Sequence, residues 1–361
     1  MPQKLYETVE RKKRALLVSL AKEGDGGREL LGLAQTLELD VISHELINVR
    51  ERQPKFGMGS GKAEELAGKA KEMEADILVF DWETTPTQQR NWEELTGIPV
   101  VDRQELIIQI FASRAATREA ELQVQLAQLH YRLPRLTHKY IDLSRQRGGM
   151  YGTKGAGETK LETDRRQIEN QIHKLEKQIE QVAKQRDLQR RQREKQGVPV
   201  CAIVGYTNAG KSSLLNALTG AAVLVEDKLF ATLDATTRRF ETAPGKTALL
   251  TDTVGFIRRL PHSLIKAFRS TLEEASHANL LLHVLDASDP DIDEYSKTTV
   301  QVLSELGAGE IPIITVLNKI DKIEQGQTDN LISRYPESTA VSVKSGAGLD
   351  NLKQEIVKRL F

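Results

Sequence analysis

The eight residues Gly205-Tyr-Thr-Asn-Ala-Gly-Lys-Ser212 constrain the fold of this chain more than any other segment. They read G-x-x-x-x-G-K-S and lie between the apolar run Val200 to Val204 and the helical pattern Ser213 to Leu218. A strand, a glycine loop and a helix in this order place backbone N–H groups around phosphate oxygens. Lys211 is expected to reach the β- and γ-phosphates, and the Ser212 hydroxyl to bind Mg²⁺. The segment therefore predicts a nucleoside triphosphate site beside a parallel sheet.

A second motif, Asp252-Thr-Val-Gly255, directly follows the apolar run Thr247 to Thr251. This position at the end of a strand would let Asp252 hold the Mg²⁺ shell and Gly255 present its N–H to the γ-phosphate. The two motifs together predict phosphoryl transfer to water.

A third motif, Asn318-Lys-Ile-Asp321, follows the apolar run Ile311 to Leu317 and identifies the base. The Asp321 carboxylate can accept from guanine N1–H and from the exocyclic amine, while Asn318 faces the Hoogsteen edge and the stem of Lys319 covers the ring. Adenine has no donor at N1, and sites of this design reject the wrong ligand by ~10⁴ or more. The predicted substrate is GTP rather than ATP.

Two shorter segments complete the predicted site. Ser342-Val-Lys344 resembles the fifth GTPase motif, in which backbone N–H groups contact the guanine oxygen. Phe230-Ala-Thr-Leu-Asp234 contains Thr232, the preferred candidate for the switch threonine that closes on Mg²⁺ when the γ-phosphate is present. Thr236 and Thr237 remain rivals, because the sequence does not fix the register of this segment.

All predicted nucleotide-binding residues lie in these five motifs. They are Gly205, Tyr206, Thr207, Asn208, Ala209, Gly210, Lys211, Ser212, Phe230, Ala231, Thr232, Leu233, Asp234, Asp252, Thr253, Val254, Gly255, Asn318, Lys319, Ile320, Asp321, Ser342, Val343 and Lys344. Lys211, Thr232 and Gly255 are predicted to act in catalysis. Ser212 and Thr232 are predicted to bind Mg²⁺, and Asp252 to hold the water shell of the metal.

With 361 residues, the chain is longer than one hydrophobic core supports, and it divides into three regions. Residues 197–361 alternate apolar runs with helical patterns, which predicts a doubly wound, mainly parallel α/β domain. Residues 1–103 predict a small α/β domain, and residues 104–196 contain no predicted strand. The predicted strands are Ala15 to Leu20, Val41 to Val49, Ile77 to Phe80, Ile98 to Val101, Val200 to Val204, Thr247 to Thr251, Leu280 to Leu285, Ile311 to Leu317 and Ser338 to Val343.

Residues 104–196 carry two apolar stripes at heptad spacing. The first comprises Leu122, Leu126, Leu129, Leu133 and Leu136, and the second Ile168, Ile172, Leu175, Ile179 and Val182. Two such helices form an antiparallel hairpin in which each buries the stripe of the other. Five glycines between positions 143 and 158 predict a loop at its tip, because glycine makes a continuing helix costly.

Cationic and aromatic side chains cluster around this tip. They are Arg132, Arg135, Lys139, Arg145, Arg147, Lys154 and Lys160, with His138, Tyr140 and Tyr151 among them. Positive charge and rings on a glycine loop favour contact with looped or single-stranded RNA. A merely solvated coiled-coil face is the alternative.

The motifs resemble those of the Obg-HflX branch of translational GTPases. Two segments, Gly57-Met-Gly-Ser-Gly-Lys-Ala-Glu-Glu-Leu66 and Gly148-Gly-Met-Tyr-Gly-Thr-Lys-Gly-Ala-Gly-Glu-Thr-Lys-Leu-Glu162, narrow the resemblance to the HflX family. It extends over nearly the whole chain, although Met150-Tyr151 and Val343 depart from the usual residues. The resemblance implies a GTPase that binds the large ribosomal subunit, places the hairpin loop near the peptidyl-transferase region and splits stalled or idle ribosomes.

The expected ligands and partners follow from the motifs and the resemblance. They are GTP and GDP, Mg²⁺, and the large ribosomal subunit with its rRNA, with no DNA, no stable membrane insertion and a monomeric chain. Asn208 makes K⁺ a second candidate cofactor, because several related GTPases hold potassium at this position of the phosphate loop. Phe256 follows Gly255 where Ras-like GTPases carry a water-orienting glutamine, so we expect slow basal turnover that ribosomes stimulate.

Composition sets the expected compartment. The 51 Lys and Arg residues balance the 51 Asp and Glu residues, so total charge indicates no partner. Cys201 is the single cysteine and lies in a predicted buried strand, which favours a core role over a redox role. The charged stretch from Met1 to Arg14 lacks a signal-peptide core. We expect a cytoplasmic protein with a ribosome-bound fraction.

Three alternatives compete with this interpretation. Gly57 to Lys62 imitates a phosphate loop, but Phe56 stands where the leading glycine belongs and Ala63 where the Mg²⁺ hydroxyl belongs, so a glycine turn before a helix from Ala63 to Met73 is preferred. A GTP-dependent binding switch could use the hairpin to engage a protein or membrane partner. The N-terminal domain could have its own nucleotide or helicase activity, for which the sequence gives no complete motif.

Overall fold

The structure, a computed structural model, describes residues 11–22, 25–139, 156–195, 197–221, 226, 228–243, 246–259, 264 and 274–361. These residues form two compact units. The first unit consists of the described residues of Met1–Ile110 and Pro134–Glu158, and the second of those of Phe111–Leu133 and Thr159–Phe361. The predicted boundaries at 103 and 196 therefore do not coincide with the compact units, because the helical region contributes to both.

The first unit is built on a parallel sheet with strand order β2-β1-β3-β4. Its elements are β1 (Arg14–Leu20), α1 (Arg28–Thr36), β2 (Asp40–Ile47), α2 (Ser60–Glu72), β3 (Ile77–Phe80), α3 (Pro86–Thr96), β4 (Val100–Asp102) and the start of α4 (Arg103–Arg114). Trp92 is fully buried between Phe56 and Phe80 and donates its indole N–H to the Phe56 carbonyl at 3.0 Å. The predicted α/β domain is thus held by an aromatic core.

The glycine segment at Gly57 precedes a helix, as the glycine-turn interpretation expects. Gly57 has φ +73°, and α2 begins at Ser60, three residues before the predicted start at Ala63. Lys62 lies on this helix and binds Glu65 at 2.8 Å. The ammonium of Lys62 therefore pairs with a carboxylate on the surface, and its position is unlike that of a phosphate-binding lysine.

The second unit contains a six-stranded sheet with strand order β10-β9-β8-β5-β7-β6. Its strands are β5 (Val200–Gly205), β6 (Thr236–Ala243), β7 (Lys246–Asp252), β8 (Leu280–Asp286), β9 (Ile313–Asn318) and β10 (Thr339–Ala340). All neighbouring strands are parallel except β6 and β7. The sheet confirms the predicted doubly wound fold class. Cys201 is fully buried in β5, where burial raises the pKa of its thiol.

Sequence reasoning missed β6 and overextended β10. β6 is the edge strand, and its exposed Arg238 and Arg239 interrupt the apolar alternation that marks a strand. β10 comprises two residues instead of the predicted Ser338 to Val343. The sequence there is apolar because Val341 is fully buried, although it lies outside the strand.

Helices in the second unit cover its sheet and form the base of the predicted hairpin. They are α5 (Arg118–Lys139, up to Leu133 in this unit), α6 (Ala156–Lys195, from Thr159), α7 (Lys211–Thr219), α8 (Ile292–Glu305), α9 (Gln325–Arg334) and α10 (Leu349–Leu360). In α6, the predicted stripe from Ile168 to Val182 is buried or half-buried between exposed positions. An ion pair of 3.3 Å joins Arg186 near the end of α6 to Glu119 at the start of α5, as an antiparallel arrangement requires.

The predicted tip loop ends before residue 156, three residues short of its predicted end at 158. Ala156 to Glu158 begin α6, since a helix start tolerates Gly157 more readily than a helix interior does. Positions 143–155 of that prediction, including Arg145, Arg147, Tyr151 and Lys154, lie outside the described residues, as does Tyr140. In the part of the chain that is described, no helix is long and apolar enough to cross a membrane.

Arg135 differs from its predicted place among the cations of the tip. Its guanidinium donates to the Gln89 side chain at 2.8 Å, to the Thr84 carbonyl at 3.0 Å and to Asp102 at 3.1 Å. Asp102 is fully buried and therefore requires such a partner. Arg135 stabilises the first unit, whereas Arg132 and Lys160 are exposed.

Candidate nucleotide-binding site

The phosphate loop joins β5 to α7 and contains two glycines. Any other residue at either position would require neighbouring atoms to shift. Gly205 has φ +148°, and a Cβ there would lie 2.3 Å from the Val284 carbonyl oxygen. Gly210 has φ +92° at the start of α7, and a Cβ there would lie 2.3 Å from Asn318 Nδ2. Both contacts are far shorter than van der Waals separation. The loop is therefore fixed against β8 and against the base-recognition motif.

Lys211 lies under this loop, where burial disfavours its charged form. It is 6% exposed, and its ammonium donates to the Tyr206 carbonyl at 2.8 Å. Burial lowers the pKa of Lys211 to about 8, and the nearby Asp252 carboxylate only partly offsets this effect. A bound phosphate would supply the missing negative charge. The buried ammonium is thus prepared for an anionic ligand.

Three oxygen-bearing side chains meet at the end of β7. The Ser212 hydroxyl donates to Asp252 Oδ2 at 2.6 Å, the Thr232 hydroxyl contacts the same oxygen at 3.0 Å, and the two hydroxyl oxygens are 2.8 Å apart. Thr236 and Thr237 lie in β6, where Thr237 binds Thr251 at 2.9 Å. Of the three candidate threonines, Thr232 is the one that the structure brings to Ser212 and Asp252.

The chemistry of this group fits Mg²⁺. Asp252 is fully buried, and burial raises its pKa although Lys211 and the two hydroxyls oppose the shift. Its Oδ1 atom is buried with no hydrogen-bond partner among the described residues. Mg²⁺ prefers hydroxyl, carboxylate and water oxygens, so the unpartnered oxygen is suited to a water of the metal shell.

Gly255 packs directly on the phosphate loop. A Cβ at Gly255 would lie 2.8 Å from Thr207 Cγ2 and 2.9 Å from Lys211 Nζ. The next residue, Phe256, donates its N–H to the Gly205 carbonyl at 3.0 Å and accepts from Thr207 N–H at 2.8 Å. The Phe256 side chain is 2% exposed and belongs to the core. The side chain that directly follows Gly255 is therefore not placed to orient a water.

The base-recognition motif is tied to the phosphate loop. Asn318 Nδ2 donates to the Ala209 carbonyl at 2.9 Å, and Asn318 Oδ1 accepts from Val343 N–H at 3.4 Å. Lys319 has φ +65°, and its ammonium donates to the Asn208 carbonyl and binds Asp286, both at 2.8 Å. Asn318 thus joins three motifs, and its predicted contact with the Hoogsteen edge stays a prediction.

Asp321 lies at the open side of the same site. The Ser342 hydroxyl donates to Asp321 Oδ1 at 2.6 Å, and this hydrogen bond is the main cause that lowers the pKa of the carboxyl group. Asp321 is exposed, with Lys344 contributing positive charge nearby. The carboxylate is therefore ionised and accessible, as an acceptor for guanine N1–H must be.

One cavity of ≈ 330 Å³ brings residues of all five motifs together. The predicted residues that line it are Thr207, Asn208, Gly210, Lys211, Ser212, Phe230, Ala231, Thr232, Gly255, Asn318, Lys319, Asp321, Val343 and Lys344. Ser213, Glu226, Lys228 and Lys322 also line it and were not predicted. Glu226 and Lys228 precede the Phe230 motif, so charge beside a switch segment was the signal available for them.

Several predicted residues lie behind the cavity and support it. Tyr206 stacks on Tyr295 with ring centroids 3.8 Å apart, and its hydroxyl accepts from Arg258 N–H at 2.7 Å. The Thr253 hydroxyl donates to the Ile203 carbonyl at 2.7 Å. The other predicted residues outside the lining are Gly205, Ala209, Leu233, Asp234, Asp252, Val254, Ile320 and Ser342.

A glycine loop on a parallel strand, an ammonium beneath it, a hydroxyl and carboxylate cluster beside it and an open aspartate define a P-loop GTPase. Three family models match the chain, described as "GTP-binding GTPase N-terminal" over residues 25–112, "GTP-binding GTPase Middle Region" over 114–193 and "50S ribosome-binding GTPase" over 200–319. The second and third models fall within the predicted regions 104–196 and 197–361, whereas the first extends past the predicted boundary at 103 to residue 112.

Relatives and solved structures agree with this class. The GTPase HflX of Caldanaerobacter subterraneus is 48% identical over 99% of this chain and 83% of its own length. That of Escherichia coli is 46% identical over 85% of this chain and 72% of its own length. The crystal structure of the SsGBP and GDP complex has a TM-score of 0.54 and 26% identity, covering 96% of this chain and 98% of that one. The chain belongs to the HflX family of GTPases and is a GTP-hydrolysing enzyme, which confirms the predicted family and activity.

Proposed function

We propose that this GTPase binds the large ribosomal subunit and couples GTP hydrolysis to the dissociation of stalled or idle ribosomes. The observation that carries the proposal is the combined match of all three regions, including the "50S ribosome-binding GTPase" model over the nucleotide domain. The protein would act as a cytoplasmic monomer with a ribosome-bound fraction. Its nucleotide site would be the cavity described above.

The roles of the residues follow from their positions. Lys211 binds the β- and γ-phosphate oxygens, and Asp321 accepts from guanine. Ser212 and Thr232 would hold Mg²⁺ directly and Asp252 through water; the ion would neutralise charge on the phosphate oxygens. Gly255 presents its N–H at the γ-phosphate. Each role uses a group that lines the cavity or lies against it.

The buried Phe256 side chain leaves the attacking water without a partner at the usual position. Slow turnover in isolation follows, because general-base or water-positioning groups contribute large factors to phosphoryl transfer. Docking on the ribosome would order the site and exclude bulk water. Asn208 is the residue proposed to hold K⁺ there; it has φ +60°, a conformation that asparagine tolerates better than most residues.

The hairpin would supply the RNA contact. Within the described residues, Arg132 and Lys160 are exposed on α5 and α6. Phosphate contacts from such cations make binding depend steeply on salt. Arg135 is excluded from this role because Asp102 already binds it.

Co-sedimentation with purified ribosomal subunits tests the proposal. In a non-hydrolysable GTP analogue the protein should pellet with large subunits, and in GDP or with small subunits it should remain in the supernatant. The variant Lys211→Ala, tested in parallel, should bind large subunits weakly in either nucleotide. Equal binding to both subunits, independent of nucleotide, would overturn the proposed partner while leaving the GTPase assignment intact.

A further inference from the structure

The segment that carries Thr232 is fixed at its first residue by a side chain from α4. Phe230 is 2% exposed and meets Phe111 edge to face, with ring centroids 4.7 Å apart and an interplanar angle of 85°. Phe230 has φ +54°, a conformation that bulky residues rarely adopt. Such a conformation persists only where surrounding contacts enforce it. Phe111, in the last turn of α4, provides such a contact within the second unit.

The last residue of the segment is fixed at the start of α5. Asp234 Oδ2 accepts from Ala116 N–H at 3.1 Å and from Thr117 N–H at 3.2 Å, and the Thr117 hydroxyl donates to Asp234 Oδ1. Thr117 is itself the cap of α5, since its hydroxyl accepts from Ala120 N–H at 3.2 Å. A carboxylate at a helix N-terminus is stabilised by the helix dipole and by free backbone donors.

A third link lies ahead of the segment. The Arg114 guanidinium binds the Glu226 carboxylate, and this hydrogen bond lowers the pKa of Glu226. Glu226 lines the nucleotide cavity, and Arg114 is the final residue of α4. Residues 111–117, which comprise the last turn of α4 and its connection to α5 and are called the α4–α5 turn here, therefore contact the chain before, at the start of and at the end of the segment with Thr232.

Thr232 lies two residues from Phe230 and two from Asp234, so it cannot move independently of these anchors. Its hydroxyl reaches Ser212 and Asp252 only while the segment keeps this position in the second unit. A switch threonine touches Mg²⁺ when the γ-phosphate is present and releases it in the GDP state. Anything that stabilises the segment in this place therefore favours GTP over GDP.

We propose that the α4–α5 turn holds the switch segment, residues 230–234, in the position that binds Mg²⁺, and we call this turn the holder. Thr117 and Phe111 are its positioning residues for Thr232. This inference rests on the assignment of Thr232 as the switch threonine. Coupling between two sites is reciprocal. GTP binding thus stabilises the start of α5, and a partner that displaces the helical hairpin lowers affinity for GTP.

Thr117→Val tests the holder, because valine keeps the shape of threonine and removes the hydroxyl. Dissociation constants are measured for Mg²⁺ with a non-hydrolysable GTP analogue and for Mg²⁺ with GDP. We expect ~10-fold weaker binding of the analogue, the size of one charge-assisted hydrogen bond. Affinity for GDP should change less than ~2-fold, since GDP does not recruit the switch threonine. Thr117→Ser should restore both values.

A control removes a helix cap elsewhere. Thr85 caps α3 in the first unit, with its hydroxyl accepting from Gln88 N–H at 3.2 Å, so Thr85→Val loses a cap without touching the switch segment. It should lower thermal stability and leave both affinities unchanged. If Thr117→Val weakened GDP and the analogue equally, the loss would be structural and the holder would be refuted.

Thr232→Ala separates this inference from the assignment on which it rests. If Thr232→Ala discriminates against the analogue and Thr117→Val does not, the holder fails and the switch assignment stands. If Thr232→Ala has no selective effect, the assignment itself is wrong and the holder falls with it. The double variant should bind the analogue as weakly as Thr232→Ala alone. Both changes act on the same interaction, the contact of Thr232 with Mg²⁺, so their effects should not add.

Discussion

The first strand of each sheet leads into a helix, yet only the junction in the second unit has the features of a nucleotide site. In the second unit, α7 begins after the glycine loop with its N-terminus facing the cavity. In the first unit, the N-terminus of α1 is occupied by the Asp25 carboxylate, which accepts from Gly27 N–H at 3.0 Å and Glu29 N–H at 2.9 Å. A side chain of the protein stands where a phosphate would bind.

The buried charges near the two junctions also differ in whether they are paired within the protein. In the first unit, Arg103 is 4% exposed and binds Asp81 at 2.7 Å as well as Glu29. In the second, Lys211 has a depressed pKa and Asp252 has an oxygen without a hydrogen-bond partner among the described residues. Buried ions that pair with opposite charges maintain a fold, and a buried ammonium whose pKa is depressed marks a site for an anionic ligand. The comparison disfavours a separate nucleotide activity for the first unit.

Lys211→Ala should show that the second junction serves function. Removing the phosphate-binding charge should lower kcat/KM for GTP by ~10³-fold or more. Thermal stability without nucleotide should not fall, because burial already disfavours the charged ammonium. Lys62→Ala is the matched control, since Lys62 follows the Gly59-Ser-Gly61 segment and binds Glu65 on the surface at 2.8 Å. Equal losses in both variants would break the comparison.

Asp321→Asn should change the base that the site accepts. The new amide presents a donor where the carboxylate accepted, and it matches the carbonyl of xanthine. We expect the ratio of kcat/KM for GTP over XTP to fall by ~10³-fold. The exposed Asp329, which binds Gln325 at 3.1 Å, provides the control Asp329→Asn. An unchanged KM for GTP together with refusal of XTP would show that Asp321 does not contact the base.

Arg103→Met should show that the first junction serves stability. It leaves Glu29 and Asp81 buried without their cation, which should lower the free energy of unfolding by about 3–5 kcal/mol. Both tryptophans, Trp82 and Trp92, are buried in this unit, so their fluorescence reports its unfolding in urea. Affinity for GTP should stay unchanged.

Arg90→Met is the control for this change. Arg90 binds Glu94 at 2.7 Å on the exposed face of α3, and such pairs contribute about 0–1 kcal/mol. A loss of GTP binding in Arg103→Met, with the fold intact, would assign the first unit a nucleotide role.

His283 predicts a smaller effect that depends on pH. It is 3% exposed in β8, and burial lowers its pKa to about 4 from an ordinary 6.5. Between pH 4 and pH 6.5 this histidine binds a proton in the unfolded chain and stays neutral in the folded chain. Stability is therefore full above pH 6.5 and falls with pH, by up to about 3 kcal/mol near pH 4. His283→Leu should flatten this dependence in urea denaturation followed by circular dichroism, whereas the exposed His277→Leu should not.

Local spacing made the nucleotide site predictable, and long-range contacts limited the rest. Lys211, Asp252 and Asp321 each follow a strand within a short motif, so their places at the sheet edge could be read directly. The contact of Asp234 with Thr117 joins residues 117 positions apart, and no local pattern announces it. The partner of Arg135, Asp102, lies 33 positions away, so local sequence groups Arg135 with the RNA-binding cations instead.

Phosphate release at steady state tests the central assignment most directly. Turnover should be slow for the protein alone and strongly stimulated by large ribosomal subunits, with a smaller preference for KCl over NaCl at equal ionic strength. Stimulation should vanish in Lys211→Ala, which retains the hairpin but lacks the phosphate-binding charge. Fast turnover by the protein alone, unchanged by large subunits, would contradict both the argument from Phe256 and the proposed ribosomal partner.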